Sequence, residues 1–352
     1  MSEQHHIDRR RFIGAAAVTL AAGRLFMMDS ADAETIKTSQ TINSDTIPEK
    51  IYSFAATKQI NAGVLNVGYA ETGPANGRPV ILLHGWPYDI DSYAKVSELL
   101  AAKGYRVIVP YLRGHGTTTF LSAQTARNGQ QSALAVDIIA LMDALKIQKA
   151  IVGGFDWGAR TADIIAALWP ERCEALVSVS GYLIVSQQAN KTPLPPKAEQ
   201  LWWYQYYFAT ERGKIGYSQN TYEFNKFIWQ TASPQWHFDE ATYKRSAKAF
   251  DNPDHVAIVI DNYRWRLGLV KGEAKYDELE KKLATGPVIT VPAITLEGDA
   301  NGAPHPEPPA YATKFKARYV HRNIIGGIGH NLPQEAPKAF ADAVIEVDSF
   351  TK

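Results

Sequence analysis

From residue 51 onward the chain alternates two kinds of hydrophobic pattern. Residues 51–72 alternate apolar and polar positions and run into the turn cluster TGPANGRP, which predicts an antiparallel strand pair. VILLHG (80–85) is continuously apolar, as expected of a strand covered on both faces. A helical pattern follows at 92–103, then a strand in YRVIVPYL, a helix at 132–145, a strand in KAIVGGF, a helix at 159–168 and a strand at 175–184. The rhythm resumes later with a helix in YDELEKKLAT, strands in VPAITLEG and YVHRNIIGG, and a last helix at 334–347. Strands alternating with helices predict an α/β protein with a mostly parallel, doubly wound sheet.

Two regions break that rhythm. Residues 185–272 begin with a proline-stiffened stretch (Pro193, Pro195, Pro196) and continue as helical, aromatic-rich sequence. Five of the eight tryptophans fall there: Trp202, Trp203, Trp229, Trp236 and Trp265. The expectation is a helical cap inserted between sheet segments 34–184 and 273–352. The other exception is the N-terminus. Arg9, Arg10 and Arg11 precede an apolar run at 12–23 and then Ala31-Asp32-Ala33, the order of a signal peptide's charged, apolar and cleavage regions. The run is too short to span a bilayer, which takes roughly 20 residues, so stable membrane insertion is not expected. Paired arginines before Phe12 and Ile13 resemble a twin-arginine leader. Residues 1–33 are therefore expected to direct export to the periplasm or beyond.

Composition narrows the function. A formal charge of +1 gives no basic surface for nucleic acid. The one cysteine, Cys173, excludes an internal disulfide and a cysteine-rich metal site. Oligomeric state is not encoded in any pattern here.

The chemistry gathers at GFDWGAR. Asp156 stands in a Gly-x-Asp-x-Gly turn between a predicted strand and a predicted helix, where nucleophilic serines stand in G-x-S-x-G elbows. A carboxylate is ionised at neutral pH and needs no base before attacking a saturated carbon. The alkyl ester so formed must then be hydrolysed, which takes a base and an oxyanion hole. HGWP puts Trp86 just after a buried strand, where its N–H can join that of Trp157 as oxyanion donors. GGIGHNLPQE puts His330 after the last strand, as the base. Capping of a helix is the alternative use for Asp156. His84 is expected to be structural.

HGWP and GFDWG resemble motifs of the α/β-hydrolase superfamily, in its epoxide hydrolase branch, and the resemblance runs from about residue 52 to the last helix. It implies an α/β-hydrolase fold, no cofactor, no metal, and two cap tyrosines that hold and protonate the epoxide oxygen. WYQYYF aligns with the first tyrosine's segment at Tyr204, with Tyr206 and Tyr207 open as alternatives; DNYRWR aligns with the second at Tyr263. The family's acid position falls on Asn301, in LEGDANG, with Asp299 two residues earlier as the fallback. The aromatic cap implies a small apolar or aromatic substrate. The same Asp–His machinery serves haloalkane and haloacid dehalogenases, which is the alternative; Arg160 resembles one of the arginines by which fluoroacetate dehalogenases hold the substrate carboxylate, but Trp157 stands at the other such position, and Arg160 is expected to be a helix-surface residue. A hydrolase-fold binding protein with weak turnover is a lesser alternative.

Overall fold

A computed structural model describes residues 53–352; the proposed leader at 1–33 lies outside the described residues. Among the described residues, nine strands form one sheet. β1 (Lys58–Ala62) and β2 (Leu65–Thr72) make the antiparallel pair, and β2 also runs antiparallel to β4 (Tyr105–Pro110) and to a two-residue strand, β5 (Thr119–Phe120). β3 (Arg78–Leu83), β6 (Ala150–Gly154), β7 (Cys173–Val179), β8 (Ala293–Gly298) and β9 (Tyr319–Ile324) complete a parallel array in the order β1-β2-β4-β3-β6-β7-β8-β9.

Successive strand residues point to opposite faces, which explains the unbroken apolar runs. Ile81, Leu83 and Val152 pack on one side with Ile138 and Leu141 of α2 (Gln131–Ala144) and Ile164 of α3 (Trp157–Leu168). Val80, Leu82 and Ile151 pack on the other with Val96 and Leu100 of α1 (Ala94–Ala101) and Phe340 and Val344 of α13 (Pro337–Ser349). The order reverses at β3, whose neighbours β4 and β6 lie on its two sides, and such switch points leave a crevice beyond the strand ends. HGWP and the Asp156 turn both open there.

Between β7 and β8 the chain forms six helices: α4 (Pro196–Leu201), α5 (Trp203–Ala209), α6 (Glu211–Gln219), α7 (Thr221–Ala232), α8 (Glu240–Ala247) and α9 (His255–Arg266). This cap is latched to the sheet by buried polar groups. Trp229 Nε1 donates to the Pro87 carbonyl at 2.6 Å and Trp86 Nε1 donates to the Tyr217 hydroxyl at 3.0 Å. His255 sits between Tyr217 Oη and the Gly114 carbonyl, each 2.9 Å away. After the cap come α10 (Asp277–Ala284), α11 (Pro308–Tyr311) and α12 (Leu332–Glu335).

Two expected elements differ. The strand expected over 175–184 ends at Val179: Ser180 and Gly181 take positive φ (67° and 84°), which turns the chain out of the sheet. Arg160 Nε then donates to the Leu183 carbonyl, and the Leu183 N–H donates to Asp163, so 182–185 becomes cavity wall rather than strand. The final helix is two helices, because proline at 337 has no N–H to continue the first and instead starts the second.

Candidate active site

Asp156 adopts φ 53° and ψ −120°, a strained conformation for a residue with a side chain. The turn tolerates it because its neighbours are bare. A Cβ on Gly158 would come 1.9 Å from the Leu83 carbonyl oxygen, and one on Gly154 would come 2.3 Å from the Gly158 carbonyl carbon. Asp156 directly precedes α3 but makes no side-chain capping bond, so the carboxylate is left for other work. Its Oδ1 accepts the Trp86 N–H at 2.8 Å and its Oδ2 lies 3.5 Å from His330 Nε2. Trp157 N–H opens α3, where first-turn amides have no intrahelical acceptor. Among the described contacts, Trp86 is the oxyanion candidate that already holds the carboxylate. Burial opposes ionisation of Asp156. The hydrogen bond and charge of His330, then the charge of Arg160 and the Trp86 N–H, outweigh it and hold the carboxyl below its usual range.

His330 is fixed from two sides. Its backbone N–H donates to Ser233 Oγ at 2.9 Å, and that hydroxyl donates to Glu335, which also accepts the Gly329 N–H. Its Nδ1 lies 3.1 Å from Asn301 Oδ1. Asn301 is therefore the residue beside the imidazole. Asp299 is not: its carboxylate accepts the N–H groups of Gly326, Gly327 and Ile328 and shapes the loop before the histidine.

Glu297, which the sequence reading passed over, sets the amide's orientation. Asn301 Nδ2 donates to Glu297 Oε1 at 2.8 Å, while Oδ1 accepts the Ala303 N–H at 2.9 Å. A carboxylate can only accept, so Oδ1 must face His330. A neutral imidazole then carries its hydrogen on Nδ1 and has Nε2 free to take a second; once protonated there, it donates to Asp156 and supplies the charge that holds the carboxyl down. The signal was present in LEGDAN, but it takes the loop geometry to turn Glu297 back onto Asn301.

Asp156 and His330 line a cavity of about 1010 Å³ together with Trp86, Tyr204, Tyr263 and the 182–185 segment. Tyr204 and Tyr263 meet edge to face with ring centroids 5.4 Å apart, and each packs on Trp86. Burial, then the Asp156 charge, pushes the Tyr204 phenol up to about 12. Burial and the neighbouring Tyr204 and Asp156 also push the Tyr263 phenol well above its ordinary value. Both phenols thus hold their protons at neutral pH. Tyr206 is exposed with its hydroxyl on Glu199, and Tyr207 stacks on Phe224. Neither lines the cavity, leaving Tyr204 of the three.

His84 is buried with both nitrogens engaged, Nδ1 with the Gly85 carbonyl and Nε2 accepting the Leu112 N–H. Arg160 departs from expectation: it is 8% exposed and faces the cavity, because α3 is covered on this side by the returning 182–185 segment. Among the described residues no group of three or more His, Cys, Asp or Glu side chains could hold a metal ion.

Residues 78–214 match the family model for the alpha/beta hydrolase fold. A solved Klebsiella pneumoniae structure, described as a candidate epoxide hydrolase, is 65% identical, with a TM-score of 0.84 over 84% of this chain and 98% of that one. Epoxide hydrolase B of Mycobacterium tuberculosis is 31% identical over 159 residues, 42% of this chain and 44% of the relative. A non-heme chloroperoxidase of Streptomyces lividans is 32% identical over 133 residues, 37% of this chain and 47% of the relative. The chain thus spans a little under half the length of these curated relatives.

Proposed function

Because the chain belongs to the α/β-hydrolase family, in its epoxide hydrolase-like branch, we propose that it opens small epoxides to vicinal diols through an ester on Asp156. The observation that carries this reading is the pair of protonated phenols, Tyr204 and Tyr263, lining the same cavity as an ionised carboxylate. A departing halide needs no proton; an opening epoxide produces an alkoxide that does.

The reaction balances as follows. Asp156 Oδ2 attacks an oxirane carbon, that carbon's bond to oxygen breaks, and the alkoxide takes a proton from Tyr204 or Tyr263. Oδ1, held by the Trp86 N–H, stays as the ester carbonyl oxygen. His330 Nε2 then takes a proton from water, and the hydroxide adds to the Asp156 carboxyl carbon. The oxyanion gathers on Oδ1, facing the Trp86 N–H, with the free first-turn N–H of Trp157 as the second donor this reading assigns. Collapse breaks the ester, the leaving alkoxide takes the proton back from His330, and the proton left on the Asp156 carboxyl restores the phenol. Asn301, backed by Glu297, keeps the imidazole in the tautomer this needs. The leader-like segment adds that turnover takes place outside the cytoplasm, in the periplasm or beyond; cleavage near Ala33 in the exported protein is its test.

The His330→Gln variant tests the chemistry, since it should form the ester and fail to hydrolyse it. Offered an aryl epoxide, it should gain the whole mass of the substrate at Asp156. A gain of substrate minus halide from a haloalkane or haloacid, with no epoxide adduct, would replace this reading with dehalogenation. No adduct from any of them would leave a binding protein.

A further inference from the structure

We propose that the cavity is built for an anionic substrate, with Arg160 and Arg266 forming the receptor for a carboxylate carried on the epoxide. The reacting group rests on the function proposed above; the anion site rests on the two guanidiniums.

The cavity wall contains one carboxylate, Asp156, against these two arginines. Both are buried, at 8% and 7% exposure, and neither makes an ion pair among the described residues. Arg160 spends its Nε on the Leu183 carbonyl, and its terminal nitrogens have no protein partner there. Arg266 lies over the rings of Trp202 and Tyr263, 5.7 and 5.5 Å from their centroids, and its buried Nε has no partner at all. An arginine carries five N–H donors in a fork that matches a carboxylate. Of these donors the Arg266 Nε is both buried and unmatched, which is costly, while the terminal nitrogens of both arginines open on the cavity, where an arriving carboxylate can meet them.

The acidic neighbours do not supply that match. Asp163 sits three residues along α3 from Arg160, but its carboxyl accepts the Leu183 N–H, and burial lifts it to about 8, so it is largely neutral at pH 7. Asp156 attracts Arg160 without an ion pair. Burial first, and then repulsion by Arg266, lowers Arg160 to about 10, as expected of two cations sharing a space with too little negative charge. Support of the nucleophile explains Arg160 in part, because its charge helps ionise Asp156. It does not explain Arg266, whose charge falls on the phenols.

A matched pair of epoxides decides it: 4-(oxiran-2-yl)benzoate and its primary amide, which differ in charge and little in shape. The wild type should favour the benzoate in kcat/KM by at least about tenfold, the scale of one hydrogen-bonded charge. Arg266→Met should bring the ratio close to one, and Arg266→Lys should keep part of it; should the methionine variant fail to fold, the wild type and the lysine variant carry the test. Equal turnover of acid and amide by the wild type overturns the proposal while leaving epoxide hydrolysis standing. An equal loss on both substrates in Arg266→Met also overturns it, assigning the arginine to the phenols. If neither epoxide is consumed, the epoxide reading fails separately. Calorimetry with 4-ethylbenzoate and 4-ethylbenzamide then decides the anion site: tenfold tighter binding of the acid upholds it, and equal binding overturns it.

Discussion

Arg113 and Arg266 are both buried arginines, and the fold treats them in opposite ways. Arg113 grips Asp137 with Nε and one terminal nitrogen at 2.6 and 2.7 Å; that terminal nitrogen also reaches the Ala133 carbonyl, and the other one donates to the Asn128 carbonyl. Arg266 has aromatic faces on either side and no acceptor on its Nε. Around Arg113 the polar chemistry is complete within the protein; in the cavity it is left open. The contrast separates groups that hold the structure from groups that await a substrate, and it makes opposite predictions for stability and for turnover.

The largest effect is expected from opening the closed side. Asp137→Ala strands the Arg113 guanidinium in the interior, and breaking such a pair costs about 3–5 kcal/mol. Urea denaturation should show that loss, and a change below about 1 kcal/mol would mean that water reaches Arg113 and that the pair is not structural.

Acid should find the closed side too. His84 and His255 are buried with both nitrogens bonded, and burial holds each near about 4. His115, between them in ring contact with both, is also held well below its ordinary value by burial and by the charges of His255 and His84. In the unfolded chain these histidines take up protons near pH 6.5. Between about pH 6.5 and 4 the unfolded state therefore binds more protons than the folded one, so stability falls as pH falls. Each histidine contributes up to about 1.4 kcal/mol per pH unit across that window, flattening once the folded form also protonates. Denaturation midpoints at pH 7, 6 and 5 should fall in step, and replacing His255 with glutamine should flatten the slope; an unchanged slope would mean the cluster is not what senses acid.

Legibility in the sequence follows the same division. The alternation of strands and helices and the elbow were readable because each is local: a run covered on both faces is apolar throughout, and glycines at 154 and 158 announce a turn with no room for side chains. Asp156, Trp86 and His330 come from three separate stretches, yet each sits at a strand end that the pattern marks. Arg160 was expected on the helix surface because helical periodicity cannot show that residues 182–185 fold back over α3. Glu297 was unreadable because a charged residue at the end of a strand looks solvent-facing until Asn301 is brought against it. Tyr204 could not be told from Tyr206 and Tyr207 by composition; packing against Trp86 chooses it.

Glu297 lies between the two regimes, a closed contact that serves the open site. Glu297→Gln leaves the Asn301 amide free to flip, since glutamine can donate as well as accept. Ester formation on Asp156 should keep its rate while ester hydrolysis slows about tenfold, roughly 1.4 kcal/mol. Single-turnover intact-mass measurements should therefore catch the ester. Adding Asn301→Asp should recover hydrolysis by placing a carboxylate directly on His330 Nδ1, whereas a merely structural role for Glu297 would slow both steps and gain nothing from the second change.

The smallest expected effect is the most discriminating. Arg266→Met removes a buried charge that the protein does not pair, and fills its space with an apolar chain between Trp202 and Tyr263. Desolvation is relieved, while a cation–π contact of about 0.5–2 kcal/mol is lost. The two oppose each other, so stability should shift by less than about 1 kcal/mol in either direction, against the 3–5 kcal/mol expected at Asp137. Thermal and urea denaturation of the two variants side by side measure the difference. A loss at Arg266 as large as that at Asp137 would make it a structural residue like Arg113 and take away the physical ground for an anion site.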